Sequence, residues 1–154
     1  MRTLLVLDPG CKSRSGHHYA LNSLISKKAP DAGWQTRILT NIKLGDNEIG
    51  DPVFRRNIYD IEKSPEQLLY WSKAVSKAFC EDLIHHGSNN IDSSTYVLIH
   101  TCSYSLLAGL ADWLLNLKSR KIRPFVRLHF FFPSTFWIRK RKIVEFSDKL
   151  FEQS

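Results

Sequence analysis

The sequence predicts an α/β fold with a mainly parallel, open sheet and helices on both of its faces. Two observations carry the prediction. Short apolar runs such as Leu4 to Leu7 and Tyr96 to Ile99 alternate along the chain with longer segments whose apolar residues recur at helical spacing. Such alternation is the signature of β-α-β units, whose connections place strands in parallel. The second observation sets the scale: at 154 residues, 43% of them apolar and 24% charged, the chain is one globular domain long, with enough apolar residues for a single core.

The elements follow in order. Leu4, Leu5, Val6 and Leu7 form a buried strand that ends at Asp8-Pro9-Gly10. A short polar loop leads to Gly16, and a helix with apolar residues at Leu21, Leu24 and Ile25 begins there. Pro30 to Gly33 is a turn, and Trp34 to Thr40 a second strand. Residues 41–63 are polar and broken by Gly45, Gly50 and Pro52. A structureless loop of that length is unusual in a compact domain, which predicts a short extra strand or turn near Val53–Ile58. Ser64 as N-cap, Pro65 in the first turn and Gln67 closing a capping box start the next helix. Its apolar stripe is Leu68, Trp71, Val75, Ala78, Phe79 and Leu83, with Gly87 as the stop. Thr95 to His100 is a strand, and Ser103 or Ser105 caps a helix with the stripe Leu106, Leu107, Leu110, Leu114 and Leu117. A strand over Phe125–Phe131 and a helix from about Lys142 to Phe151 close a single domain over 1–154, Rossmann-like in plan.

Composition excludes several classes. No run of about 18 apolar residues exists for a membrane-spanning helix. The apolar run after Arg2 is too short for a signal peptide, which places the protein in the cytoplasm. Cys11, Cys80 and Cys102 are odd in number and far apart, as expected of reduced thiols, and they lack zinc-ligand spacing. The net charge is +7, with the basic excess late in the chain: Lys118, Arg120, Lys121, Arg123, Arg127 and then Arg139 to Lys142. Such a surface either favours phosphates, anionic lipid or nucleic acid, or simply keeps the protein soluble.

In an open parallel sheet a ligand sits outside the carboxyl ends of the strands. Three polar segments fall there: Asp8 to His18, His100 to Ser103, and His129. The start of the first helix offers unsatisfied N–H groups to an anion, Gly16 allows close approach, and His17 and His18 can donate to a phosphate. The spacing is neither GxGxxG nor a Walker loop, so it marks a site and names no ligand. His100 and His129, at the ends of consecutive strands, are placed to converge on one crevice. Arg127 shares a face with His129. It is either solvated on an edge strand, the reading that Pro124 favours, or it reaches an anion. No metal is expected, because His17–His18 and His85–His86 are adjacent pairs that cannot comfortably share an ion. No Gly-x-Ser-x-Gly elbow supports a serine nucleophile, and Cys102 reads as a small residue at a strand end. Phe130 to Lys142 joins aromatics to a basic run. Trp137 with Arg139, Lys140, Arg141 and Lys142 suits the inner face of an anionic membrane, and the aromatics equally suit the core. Nucleic acid is disfavoured by the lack of helix-turn-helix and RNP signatures.

With these elements placed, LLVLDPG…SGHHYALNSLI, VLIHTCSYSLLAGLADWLL and PFVRLHF together resemble the N-terminal half of GT-B glycosyltransferases over most of residues 1–132. The resemblance implies sugar transfer from a nucleotide-sugar without a metal or other cofactor. It implies Gly16 beside the donor diphosphate, His129 beside the donor sugar and reaction centre, and His100 on the acceptor side. It also implies a sugar or lipid acceptor and a C-terminal donor domain beyond these residues, so that the chain alone is catalytically incomplete. Two departures stand out: the loop reads Ser-Gly-His-His where many members have paired glycines, and the donor domain's glutamate-bearing motif has no counterpart here. The alternative is a non-enzymatic α/β module that binds an anionic ligand, anionic lipid or a protein partner. Self-association through an exposed cleft face is open to either.

Overall fold

The computed structural model describes residues 2–45, 49–59 and 65–130, and of 65–69 the backbone alone. The described residues form five strands and three α-helices: β1 (Arg2–Asp8), α1 (Gly16–Lys28), β2 (Trp34–Asn41), β3 (Asp51–Phe54), α2 (Pro65–Asp82), β4 (Tyr96–Cys102), α3 (Leu107–Ser119) and β5 (Phe125–Phe130). All four pairings are parallel, in the order β3-β2-β1-β4-β5. The α/β, Rossmann-like expectation is met. The extra strand falls at Asp51–Phe54, slightly before the stretch expected, and the third long strand runs on to Cys102. Ser64, Phe131 and the C-terminal segment with Trp137, Arg139, Lys140, Arg141, Lys142 and the expected last helix lie outside the described residues.

Chain direction fixes the layers. From β1 the sheet grows one way to β2 and β3, then the α2 crossover returns past them to β4 on the other side of β1. Right-handed crossovers therefore put α1 on one face and α2 with α3 on the opposite face. Strand alternation divides β1 accordingly. Leu5 and Leu7 join Leu39, Val97 and Ile99 in the apolar core with Trp71, Val75, Phe79, Leu110 and Trp113. Val6 and Asp8 point to α1.

The core face is closely fitted. Gly109 donates its N–H to Ser76 Oγ at 2.6 Å, and a Cβ there would fall 2.0 Å from the Ser76 carbonyl oxygen. The α2 and α3 backbones thus approach to a distance only glycine permits. Trp113, fully buried, donates its indole N–H to Ser88 Oγ at 3.0 Å, so its polar atom is satisfied in an apolar setting. At the end of α2 the helix widens into a π-helical turn over Leu83–Gly87, where glycine had predicted the stop. Arg37 of β2 reaches that turn and donates to the carbonyls of His86 and Asn89, at 3.0 Å each. Among the described residues no helix is long and apolar enough to cross a membrane.

β5 is an edge strand, as Pro124 suggested, and Arg127 on it is exposed. The solvated reading of that arginine is therefore the structural one. Of the α1 residues, the buried pair is His18 and Asn22, while Leu24 is 54% exposed. The helix expected from its leucines and isoleucine is present, but its most buried side is polar.

Candidate functional site

The reversal of strand order lies between β1 and β4, which is where an open α/β sheet forms its crevice. Asp8 ends β1 there, His100 lies near the end of β4, and the first turn of α1 brings His17 and His18 over both. Asp8 is 2% exposed and is the centre of the arrangement. Its Oδ1 accepts from the Gly10 N–H at 3.1 Å and from His18 Nδ1 at 2.7 Å. Its Oδ2 accepts from Asn22 Nδ2 at 2.7 Å, with His100 Nε2 at 3.3 Å. A buried carboxylate is tolerable only with such a shell of donors. Burial by itself would raise the Asp8 pKa, but the contacts with His100 and His18 outweigh it and hold the carboxyl well below the usual range.

Each ring nitrogen has a partner that fixes its role. His18 Nδ1 faces a carboxylate and must carry a proton, leaving Nε2 to the Tyr59 hydroxyl at 2.7 Å. Burial and the Asp8 charge push the Tyr59 phenol up to about 12, so it stays protonated and donates. His100 Nε2 faces Asn22 Oδ1 at 2.8 Å and Asp8 Oδ2, both acceptors, and so carries its proton. His100 Nδ1 then accepts from the Thr101 hydroxyl at 2.9 Å. Asp8, His18, Asn22, Tyr59, His100 and Thr101 thus form one connected hydrogen-bond network.

Gly10 makes the packing possible. A Cβ on it would lie 2.4 Å from the His18 ring. Gly16, the glycine singled out from the sequence, differs: it has φ +86° and open space where a Cβ would stand. The N-cap residue Ser15 makes no side-chain capping bond. His17 is exposed, lies with its ring centroid 4.2 Å from that of His18 and tilted by 38°, and has its pKa lowered by partial burial and by His18. Behind the loop, burial and Asp8 push the Cys11 thiol up to about 11, and burial pushes Cys102 up to about 12. Both are unreactive neutral thiols at physiological pH, which agrees with the structural reading of Cys102.

His129 stands at the other wall of the crevice. Its Nδ1 donates to the backbone carbonyl of His100 at 2.9 Å, so the two histidines do meet, through a main-chain atom of one and the ring of the other. His129 is exposed, whereas His100 is 5% exposed, with its imidazole consumed by the Asp8 network. Arg127 lies on the same face, one pleat below.

Among the described residues, Asp8, His18 and His100 form a group able to hold a cation, because their ligand atoms lie within 4.8 Å of one another. Protons now occupy those directions, and a metal would have to displace them. Adjacency of His17 and His18 had argued against a metal, but the structure pairs His18 with Asp8 and His100 instead. Asn22 and Tyr59 were missed from the sequence, and Asp8 had been placed in the site without a role. A signal existed: an aspartate ending a buried strand requires donors, and His18 and Asn22 stand four apart, on one side of the following helix.

Cavities lined by described residues also lie elsewhere. One of 230 Å³ is at the amino ends of β1 and β2, lined by Thr3, Gln35, Asn90 and Thr95. Another of 330 Å³ lies between β3 and the end of α2, lined by Pro52, Arg55, Asp82 and His86. Comparison with protein-family models, with curated proteins and with solved structures finds no match to this chain.

Proposed function

We propose that this domain is the acceptor-side half of a nucleotide-sugar-dependent glycosyltransferase, acting with a second, donor-binding α/β domain. The observation that carries the reading is His129 near the end of β5, one strand beyond the topological switch point and held against the His100 carbonyl. Its Nδ1–H is held by a carbonyl, and its Nε2 has no partner among the described residues. An imidazole in that state offers its lone pair to solvent and can take the proton of an acceptor hydroxyl as its oxygen bonds to the sugar's anomeric carbon. The bond from that carbon to the nucleoside diphosphate breaks, the diphosphate leaving with the electron pair. Gly16 and the first turn of α1, with His17 beside them, form the opposite wall, where partial positive charge suits the donor's diphosphate. Chemistry of this kind needs charge stabilisation and a base, both of which such a crevice supplies without a metal. His18, His100 and Asp8 sit behind the reacting groups and shape the wall.

A second reading, a binding module for an anionic ligand, is favoured by one specific feature: the start of α1 lacks a side-chain cap and opens into free space at Gly16. Anionic lipid and protein partners belong to that reading.

Transfer from a panel of nucleotide-sugars by the chain reconstituted with a donor-binding domain separates the two. Transfer is expected, and His129→Ala should lower it at least 100-fold, the scale of a lost general base, with an unchanged fold by circular dichroism. Turnover that ignores His129→Ala removes that residue from the chemistry. Absence of transfer, with nucleotide-sugars moving neither the Gly16 amide nor the His129 ring in NMR spectra, leaves the binding module.

A further inference from the structure

The pairing of β4 with β5 is interrupted where the two histidines meet. Ile99 stands opposite Leu128 and Cys102 opposite Phe130, so His100 and Thr101 together face the single residue His129. Two residues against one is a β-bulge, a device that disturbs the ladder locally and re-aims a side chain. At this bulge the carbonyl of His100 accepts from the ring of His129. The same residue is anchored on its other side: Nε2 of its imidazole contacts Asn22 and Asp8, and Nδ1 contacts Thr101.

We infer that His100 is a positioning residue for His129, and that the bulge and the buried Asp8–Asn22–His100 cluster exist to present one carbonyl that locks His129 in its Nδ1–H tautomer. A carbonyl can only accept, so the contact at 2.9 Å requires the proton on Nδ1. The lone pair is thereby confined to Nε2, on the exposed side. A free imidazole prefers the opposite tautomer, with the proton on Nε2, which would leave a donor facing the crevice and no base. His100 thus acts without touching a ligand, which gives a buried, 5% exposed histidine a part that a cleft-lining role does not.

The inference rests on the transferase reading for its purpose but not for its measurement. Nitrogen-15 NMR of the full chain labelled at histidine, with long-range couplings to the ring protons, reads the tautomer directly at a pH where the rings are neutral. The expected wild-type result is His129 with Nδ1 protonated and Nε2 bare. Two variants loosen the anchor of His100 without touching His129: Asn22→Ala removes the amide, and Thr101→Val removes one hydroxyl at nearly constant shape. In whichever variant keeps a native amide spectrum, the Nδ1–H population of His129 should fall and the Nε2–H form should appear. An Nε2–H tautomer in the wild type overturns the inference, as does an Nδ1–H population that does not move in a folded variant. Should both variants unfold, the wild-type tautomer decides. A locked Nδ1–H tautomer in a protein that transfers no sugar would sink the transferase reading and leave this one standing. Transfer by a protein whose His129 is Nε2–H would do the reverse.

Discussion

The two faces of the sheet are held by different physics. Under α2 and α3, large apolar side chains fill the space: Trp113, Phe54, Leu5, Leu7, Leu39 and Leu83 are all less than 2% exposed. Under α1 the buried positions include Asp8, His18, Asn22, Thr40 and His100. The first face gains stability from area removed from water, a term that tolerates moderate reshaping. The second gains little from area and depends on every donor meeting an acceptor. The lesson is a division of labour: the apolar side keeps the sheet folded, and this lets the other side hold a buried charge and a set of oriented rings at the crevice.

Substitutions can break or sharpen that contrast. The largest loss is expected for Trp113→Ala, about 3–5 kcal/mol from cavity formation, seen as a lower urea midpoint in equilibrium unfolding. If it costs less than 1 kcal/mol, the α2–α3 side is not the main source of stability.

Asp8→Asn should cost about 3 kcal/mol at neutral pH, since it removes the charge that the surrounding donors serve. Here pH gives a sharper test. The carboxyl of Asp8 lies below its ordinary value in the folded chain, so its ionisation favours folding. That contribution is complete above the unfolded value of about 3.9 and is lost as pH falls toward the folded value. The stability gap between wild type and Asp8→Asn should therefore hold steady from neutral pH down to about pH 5 and narrow as the pH falls below about 4. A gap that widens on acidification would mean that Asp8 is not held ionised by its neighbours.

Tyr59→Phe deletes one hydroxyl at the rim of the network and should cost about 1 kcal/mol, measured in the same urea titration. Leu24→Glu, on the open side of α1, should stay within about 0.5 kcal/mol of wild type. A loss above 1 kcal/mol would show that something covers the outer side of that helix.

Legibility followed the same division. Apolar runs announced β1 and β4, and the leucine stripe announced α3, because area burial leaves its mark in hydropathy. Trp113 was not counted in the stripe although it is fully buried, stands at helical spacing between Leu110 and Leu117, and has its indole N–H met by Ser88. The polar face was harder to read. Periodicity in α1 points to Leu21, Leu24 and Ile25, whereas His18 and Asn22 are the residues turned inward, and no hydropathy scale reports a hydrogen-bond partner ten or more residues away. The crevice could be placed from the ends of strands, and the meeting of His100 with His129 was foreseeable from their positions. The bulge that brings ring and carbonyl together was not, because register is set by pairing across the sheet and leaves no local trace.

The order of the strands has a consequence for how the chain is made. β1 leaves the ribosome before the other four strands of this sheet yet ends as its middle, with β2 on one side and β4 on the other. Its pairing with β2 can form after some forty residues, but its second edge waits for Tyr96 to Leu98 to be synthesised. During that interval a nascent chain displays an apolar strand edge, a template for unwanted pairing with other nascent chains. The stretch from β3 through α2 therefore sets the length of a vulnerable window, and the rate of translation across it bears on the yield of folded protein.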